Sequence, residues 1–324
     1  MFQLTAANAA QYLMDRGMPE PLAVDELGGG VSNTVLQIQM LEGRLVLKQS
    51  LPKLRVEQDW YSDPGRIFRE SDGLRSLAPH LPPGSLPEVL FEDRENYTFA
   101  MSAAPPDAET WKSLLMRGEI RPEIAGRIGG MLAAIIRASW RDAAWEARFG
   151  DQTVFDQLRL DPYYRSTARV HPDLAPQFAR LMRESAARRV SLVHGDWSPK
   201  NFLVSGGHAM AIDFEVIHFG DPAFDVAFLL NHLALKSVAR PLDKAKYHAA
   251  ALQFWESLAA GLPAGCGWLE EAALAHLGAL MLARVDGKSP VEYLGADSRI
   301  GVRAIARGLI LRPPASISEA FDRL

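Results

Sequence analysis

The chain has 324 residues, 48% hydrophobic and 23% charged, the composition of a globular protein with one large domain or two lobes. Its 35 basic and 39 acidic residues give a formal charge of -4, so no global positive field exists to hold nucleic acid or an anionic membrane. The single cysteine, Cys266, excludes an intramolecular disulfide framework and a cysteine-based zinc site, and makes the cytoplasm the default expectation.

The opening MFQLTAANAAQYLMDRGM has no basic leader region, and GGMLAAIIRASW meets Arg137 long before about 18 apolar residues have passed, so neither a signal peptide nor a membrane span is expected. Thr5 caps a predicted helix that ends near Arg16, with Gly17 as its stop. VDELGGGVSNTVLQIQML and GRLVLKQSL alternate as strands do, with Glu42-Gly43 marking a hairpin. In PGRIFRESDGLRSL, Ile67, Leu74 and Leu77 share one helical face. LPEVLFED and NYTFAMS read as two more strands, and the proline pair in APPD reads as a hinge. Beyond it the period changes to that of helices, with runs near 108–118, 122–140, 174–188, 222–236, 244–260 and 268–284. The exception is SLVHGDWSPKNFLVSGGHAMAIDFEVIHFGDP, two apolar bursts set among turn residues.

That exception carries the chemistry. In HGDWSPKN, Asp196 and Asn201 have the Asp-x-x-x-x-Asn spacing of a kinase catalytic loop, which sets a carboxylate beside an attacking hydroxyl and an amide oxygen toward a metal. FLV and AMAI flank Ser205-Gly206-Gly207 as a hairpin, so Asn201 before the first strand and Asp213 after the second come together as hard oxygen ligands for Mg2+. Asp213-Phe214-Glu215 stands where a protein kinase carries Asp-Phe-Gly. The glutamate removes a freely flipping glycine, and Gly220 follows too soon for a movable activation loop.

The N-terminal part supplies a nucleotide half. In GGGVSN, the backbone around Gly29, Gly30, Ser32 and Asn33 is suited to phosphate oxygens. Only 8 of the 35 basic residues are lysines, so a lysine inside an apolar strand points to a need for a compact charge, and Lys48 is positioned to contact phosphates. Glu70 on the predicted helix is its candidate ion-pair partner, with Glu57 as the other acidic candidate. His194 is read as shaping the loop through backbone hydrogen bonds, Asp221 as a helix cap and Asp225 as a buried brace for the loop.

The order of these elements resembles that of the aminoglycoside phosphotransferase and choline kinase-like superfamily, carried chiefly by HGDWSPKN, IDFE and GDPAFDVA. The resemblance implies an α+β, protein kinase-like two-lobed fold with an antiparallel-sheet N-lobe (1–100), a hinge (101–104) and a mostly helical C-lobe (105–324). It implies ATP in the cleft against the hinge at Met101, Asp196 as catalytic base, and Asn201 and Asp213 as Mg2+ ligands. TWKSLLMRGEI is similar also to methylthioribose kinases, whose catalytic loop lacks the Asn, and the subfamily stays unassigned. The expected activity is ATP- and Mg2+-dependent phosphoryl transfer to a hydroxyl of a small molecule, and a fold that binds nucleotide without transfer is the alternative. From residue 231 onward 11 basic residues face 9 acidic ones, a balance that favours a sugar, amino alcohol or polar metabolite over a polycationic aminoglycoside. RVDGKSPVEYL is expected as a loop over the acceptor cleft, with Arg284, Asp286 and Lys288 as candidate contacts.

Overall fold

Strict apolar alternation makes the first sheet, and a second layer on each of its faces decides which residues it buries. A computed structural model describes residues 2–28, 32–55 and 60–324. Helix α1 (Ala9–Met14) precedes strands β1 (Ala23–Glu26), β2 (Asn33–Met40) and β3 (Gly43–Ser50), helix α2 (Arg66–Leu77), and strands β4 (Val89–Asp93) and β5 (Thr98–Ser102). The strands form one antiparallel sheet in the order β1-β2-β3-β5-β4. Along β3, Leu45 and Leu47 face one way and pack with Leu4, Tyr12 and Leu13 beside α1. Val46 joins the main core with Phe99 and Met101, and the period of two puts Lys48 on that same side. Each fully buried aliphatic residue contributes about 1.5–3 kcal/mol.

Two expectations shift here. Thr5 does not cap α1; its backbone N–H donates to Asn8 Oδ1 at 2.8 Å, and the helix starts at Ala9. The strand that pairs with β3 runs on through Met101 and Ser102, so the first half of the expected hinge belongs to the sheet, with Met101 paired to Val46.

The rest of the described chain is mainly helical. β6 (Glu109–Thr110), α3 (Trp111–Met116), α4 (Pro122–Ser139) and α5 (Ala143–Phe149) come first. α6 (Thr153–Phe155) then runs into a π-helical stretch, Asp156–Arg165, that contains Pro162 and continues as α7 (Ser166–Val170). α8 (Ala175–Ala187) leads to β7 (Ser191–Val193), β8 (Phe202–Ser205), β9 (His208–Ala211) and β10 (His218–Gly220). β8 and β9 pair through Ser205↔His208, with Gly206 and Gly207 both at positive φ, the turn that two consecutive glycines favour. β7 pairs with β10. The last helices are α9 (Ala223–Ala239), α10 (Lys244–Ala260), α11 (Leu269–Asp286), α12 (Ala296–Leu311) and α13 (Ile317–Asp322). α9 is buried from Ala223 to Ser237 and forms the spine of this part. No helix among the described residues is long and apolar enough to cross a membrane.

Candidate active site

The turn after β7 is shaped from below. Asp225, in the first turn of α9 and fully buried, accepts the backbone N–H of His194 at 2.6 Å and of Gly195 at 2.9 Å. Burial pushes its carboxyl up to about 7, although both N–H groups pull it down. Gly195 has φ of 78°, and a Cβ there would stand 2.7 Å from Val216 Cγ1, so no side chain fits. His194 Nδ1 accepts the Asp196 N–H at 3.1 Å, which assigns the proton to Nε2, 3.1 Å from the Ile212 carbonyl. Burial lowers this imidazole to about 4 and keeps it neutral. His194 therefore braces backbone, and Asp221 caps α9 through the Ala223 N–H at 3.0 Å.

Asp196 is 4% exposed and carries two cations: Lys200 Nζ at 2.8 Å and Arg159 Nη2 at 3.0 Å from Oδ2. Burial alone would raise its pKa, but Lys200 and Arg159 outweigh burial and hold the carboxyl far below the usual range. Arg159 also donates from Nε to the Gly195 carbonyl at 2.5 Å. It comes from the π-helical stretch, whose wider turn re-aims side chains. Its contact with residues 195 and 196 spans more than thirty positions, and no local sequence signal marks it.

The β8–β9 hairpin brings Asn201 and Asp213 to neighbouring ends. Asn201 Nδ2 donates to the Asp196 carbonyl at 2.9 Å, while its Oδ1 takes no hydrogen bond among the described residues. Asp213 sits at φ of 69°, a left-handed conformation that a short polar side chain tolerates. Its Oδ1 is 2.5 Å from Lys48 Nζ, and its Oδ2 is 4.0 Å from Lys200 Nζ. Lys48 Nζ also donates to Glu70 Oε2 at 2.6 Å. Burial works to deprotonate Lys48, but Asp213, Glu70 and Glu215 together hold it charged. Glu57, the other candidate partner, lies outside the described residues, as do Gly29 and Gly30.

Glu215 has a task the sequence reading missed. It accepts Ser32 Oγ–H at 2.8 Å, Asn33 Nδ2–H at 2.9 Å and Arg66 Nε–H at 3.0 Å. The side chains of Ser32 and Asn33 are thus tied to the Asp213-Phe214-Glu215 segment. Met101 lies buried in β5, paired to Val46.

Expectations for RVDGKSPVEYL change more. Its first three residues complete α11. Asp286 accepts from Arg303 and lies 2.9 Å from His171 Nε2, and Lys288 pairs with Asp161 at 2.8 Å, so both are consumed by ion pairs within the fold. Arg284 takes no acidic partner among the described residues.

The donor set fits a hard divalent cation. An unengaged amide oxygen and a carboxylate lie next to each other, and Lys200 sits between Asp196 and Asp213, where a positive charge is favoured.

The model of the APH phosphotransferase enzyme family matches residues 23–260. Methylthioribose kinase of Yersinia enterocolitica is 28% identical over 278 residues, covering 74% of this chain and 69% of that protein. Among solved structures, an amicoumacin kinase bound to AMP-PNP, Ca2+ and Ami superposes with a TM-score of 0.58 at 18% identity, covering 95% of this chain and 94% of the other. Choline kinase LicA from Streptococcus pneumoniae gives 0.51 at 18% identity, covering 95% and 99%. These structures share the α+β two-lobed fold. With nearly three quarters of its length inside the family model, the chain belongs to the APH phosphotransferase enzyme family and is a small-molecule kinase that uses ATP.

Proposed function

We propose that this kinase uses Mg2+ with ATP and phosphorylates a hydroxyl of a sugar-like or polar metabolite. One observation carries the reading: Lys200 Nζ lies 2.8 Å from Asp196 Oδ2 and 4.0 Å from Asp213 Oδ2, so base and metal carboxylate face one spot. Asp196 accepts a hydrogen bond from the acceptor hydroxyl and aims its oxygen at the γ-phosphorus. Because its pKa is so low, it orients the nucleophile and takes the proton late, as the new O–P bond forms and the bond to the departing ADP oxygen breaks. Lys48, held by Glu70, positions phosphate oxygens. Gly29, Gly30, Ser32 and Asn33 are assigned to the phosphate side by their place in the sequence, and Met101 to the segment that borders the base. Asn201 and Asp213 would hold Mg2+, which neutralises charge on the transferring group.

A sugar-like acceptor is supported by the methylthioribose kinase relatives and by the absence of an excess of acidic residues after residue 231. Residues 1–100 and 105–324 are read as the two lobes, joined at 101–104. The test is transfer from Mg-ATP into a pooled panel of sugars, amino alcohols and aminoglycosides, read by mass spectrometry, with Asp196→Asn as the control. The variant is expected to lose on the order of 10²-fold or more in kcat with the Kd for ATP unchanged. Near-normal turnover in the variant refutes the assignment of Asp196.

A further inference from the structure

One face of α9 leads away from the catalytic loop. Asp225, which supports that loop, is followed on the same face by Phe228, His232 and Lys236, three, seven and eleven positions on. At 1.5 Å per residue the row is about 16 Å long. It ends in a cation: Lys236 is 1% exposed, takes no ion pair or hydrogen bond among the described residues, and meets the Tyr293 ring at 4.9 Å. Arg284 lies close enough to act on it electrostatically. This guanidinium donates to the Tyr163 hydroxyl at 3.0 Å and Ser289 Oγ at 2.7 Å, both neutral, and its Nε is buried without a partner. The Tyr163 ring links it to the site, since Arg284 stands 5.6 Å from that ring and Arg159, the partner of Asp196, stands 5.9 Å from it.

The acid nearest in effect to Lys236 is engaged elsewhere. Glu292, the acid that acts on Lys236, pairs with Lys112, itself a third cation acting on Lys236. His232, packed edge-on to Phe228, stays neutral through burial and the two cations. The Tyr293 hydroxyl is also buried without a partner. A buried ammonium whose one nearby acid is already shared with another cation is costly, and burial with Lys112 and Arg284 outweighs Glu292 and lowers Lys236 to about 7. Such a wall is incomplete without an anion.

We propose that Lys236 and Arg284 form an anion subsite for the phosphoryl acceptor, which is therefore a hydroxylated carboxylate or phosphate whose hydroxyl lies at Asp196. This rests on the phosphotransferase reading of Asp196 and narrows its substrate class. The acceptor supplies the missing negative charge, and Tyr293 offers it a hydroxyl donor. A neutral sugar leaves both cations unpaired.

The test is calorimetric binding on the full chain, with a panel of sugar acids and hydroxy acids, sugar monophosphates, and for each anion its uncharged amide or free sugar. At least one anion is expected to bind tenfold or more tightly than its neutral counterpart. Lys236→Met removes that preference, Lys236→Arg retains much of it, and Arg284→Gln weakens it independently. Ligand-free Lys236→Met is expected to melt above the wild type, because it removes an unpaired buried charge. Whether acids or monophosphates win tells which anion the subsite takes. Equal binding of neutral counterparts, anion binding unchanged in Lys236→Met, no anion bound, or a lower melting temperature for that variant each overturns the proposal. Asp196→Asn separates the two readings. If it binds the anion yet transfers phosphate like the wild type, the base assignment fails and the subsite stands. Transfer that depends on Asp196 but goes to a neutral sugar without regard to Lys236 sinks the subsite alone.

Discussion

Replacing Asp225 by Ala tests whether the catalytic loop is held from α9 rather than by its own turn. The wild-type carboxylate accepts two buried N–H groups, from His194 and Gly195, and nothing else in the described structure accepts them. Each orphaned buried donor costs about 1–3 kcal/mol. Relief of the carboxylate's own burial, which raises its pKa to about 7, offsets part of this, so the net loss is about 2–4 kcal/mol. At about 2–4 °C per kcal/mol for a chain of this size, the melting temperature falls by roughly 4–16 °C. Because the two N–H groups position Asp196, kcat falls at least tenfold at temperatures where the variant is folded, while the Kd for ATP changes little, since Lys48 and Glu70 hang on other elements. Asp225→Asn keeps one acceptor oxygen and turns an NH2 against the other donor, so its losses fall between.

The sign of the pH dependence follows from the same group. Its folded pKa lies above the unfolded value, so the folded state binds the extra proton, and this contribution to stability fades as pH rises from about 4 to about 7. The gap between wild type and Asp225→Ala is therefore wider at pH 5 than at pH 7.5. Urea midpoints at both values, with kcat and ATP titration at 20 °C, give all these quantities. A variant within about 0.5 kcal/mol of wild type and with normal kcat refutes the bracing argument.

Gly195→Ala forces a methyl into left-handed backbone and against Val216, and is expected to cost roughly 2–4 kcal/mol by urea unfolding, with activity lost in parallel. Lys48→Met strands Glu70, which is fully buried, so it is expected to destabilise by about 3 kcal/mol as well as raise the KM for ATP. Adding Glu70→Gln restores much of that stability but none of the ATP affinity, and additive losses in the double-variant cycle contradict the pairing. Lys236 has a folded pKa of about 7 against an ordinary 10.5, so the unfolded chain holds the extra proton and wild-type stability rises between about pH 7 and pH 10. The stability advantage of Lys236→Met, on the order of a few kcal/mol at pH 6.5, should shrink toward pH 10. A gap that stays flat across this range argues that Lys236 is solvated.

Much of the site was legible because its signals are local. HGDWSPKN and IDFE are short strings whose spacing is set by one turn and one hairpin, and the Gly206-Gly207 turn by itself brings Asn201 and Asp213 together. Period-two alternation put Lys48 on a defined face of β3, and the helical period found α2, α4 and α8 to α11. α12 was missed because its seam is narrow: Val302, Ala306, Leu309 and Ile310 are its buried residues, set among arginines that blur the period. The pairings of charge needed the tertiary structure. Arg159 reaches Asp196 from a π-helical stretch more than thirty positions away, and Glu215 ties down Ser32 and Asn33 across more than 180. Asp286 and Lys288 looked available as acceptor contacts until folding supplied Arg303, His171 and Asp161 as partners. The sequence by itself determined the hairpin after HGDWSPKN and the order of the candidate residues, since these rest on steric and hydrogen-bonding preferences that act over a few residues, while the two-lobed fold entered through the family resemblance that those strings carry. Tertiary structure alone decided which buried charges are paired among the described residues and which, like Lys236, are not, because Coulomb interactions depend on distance in space and ignore separation along the chain.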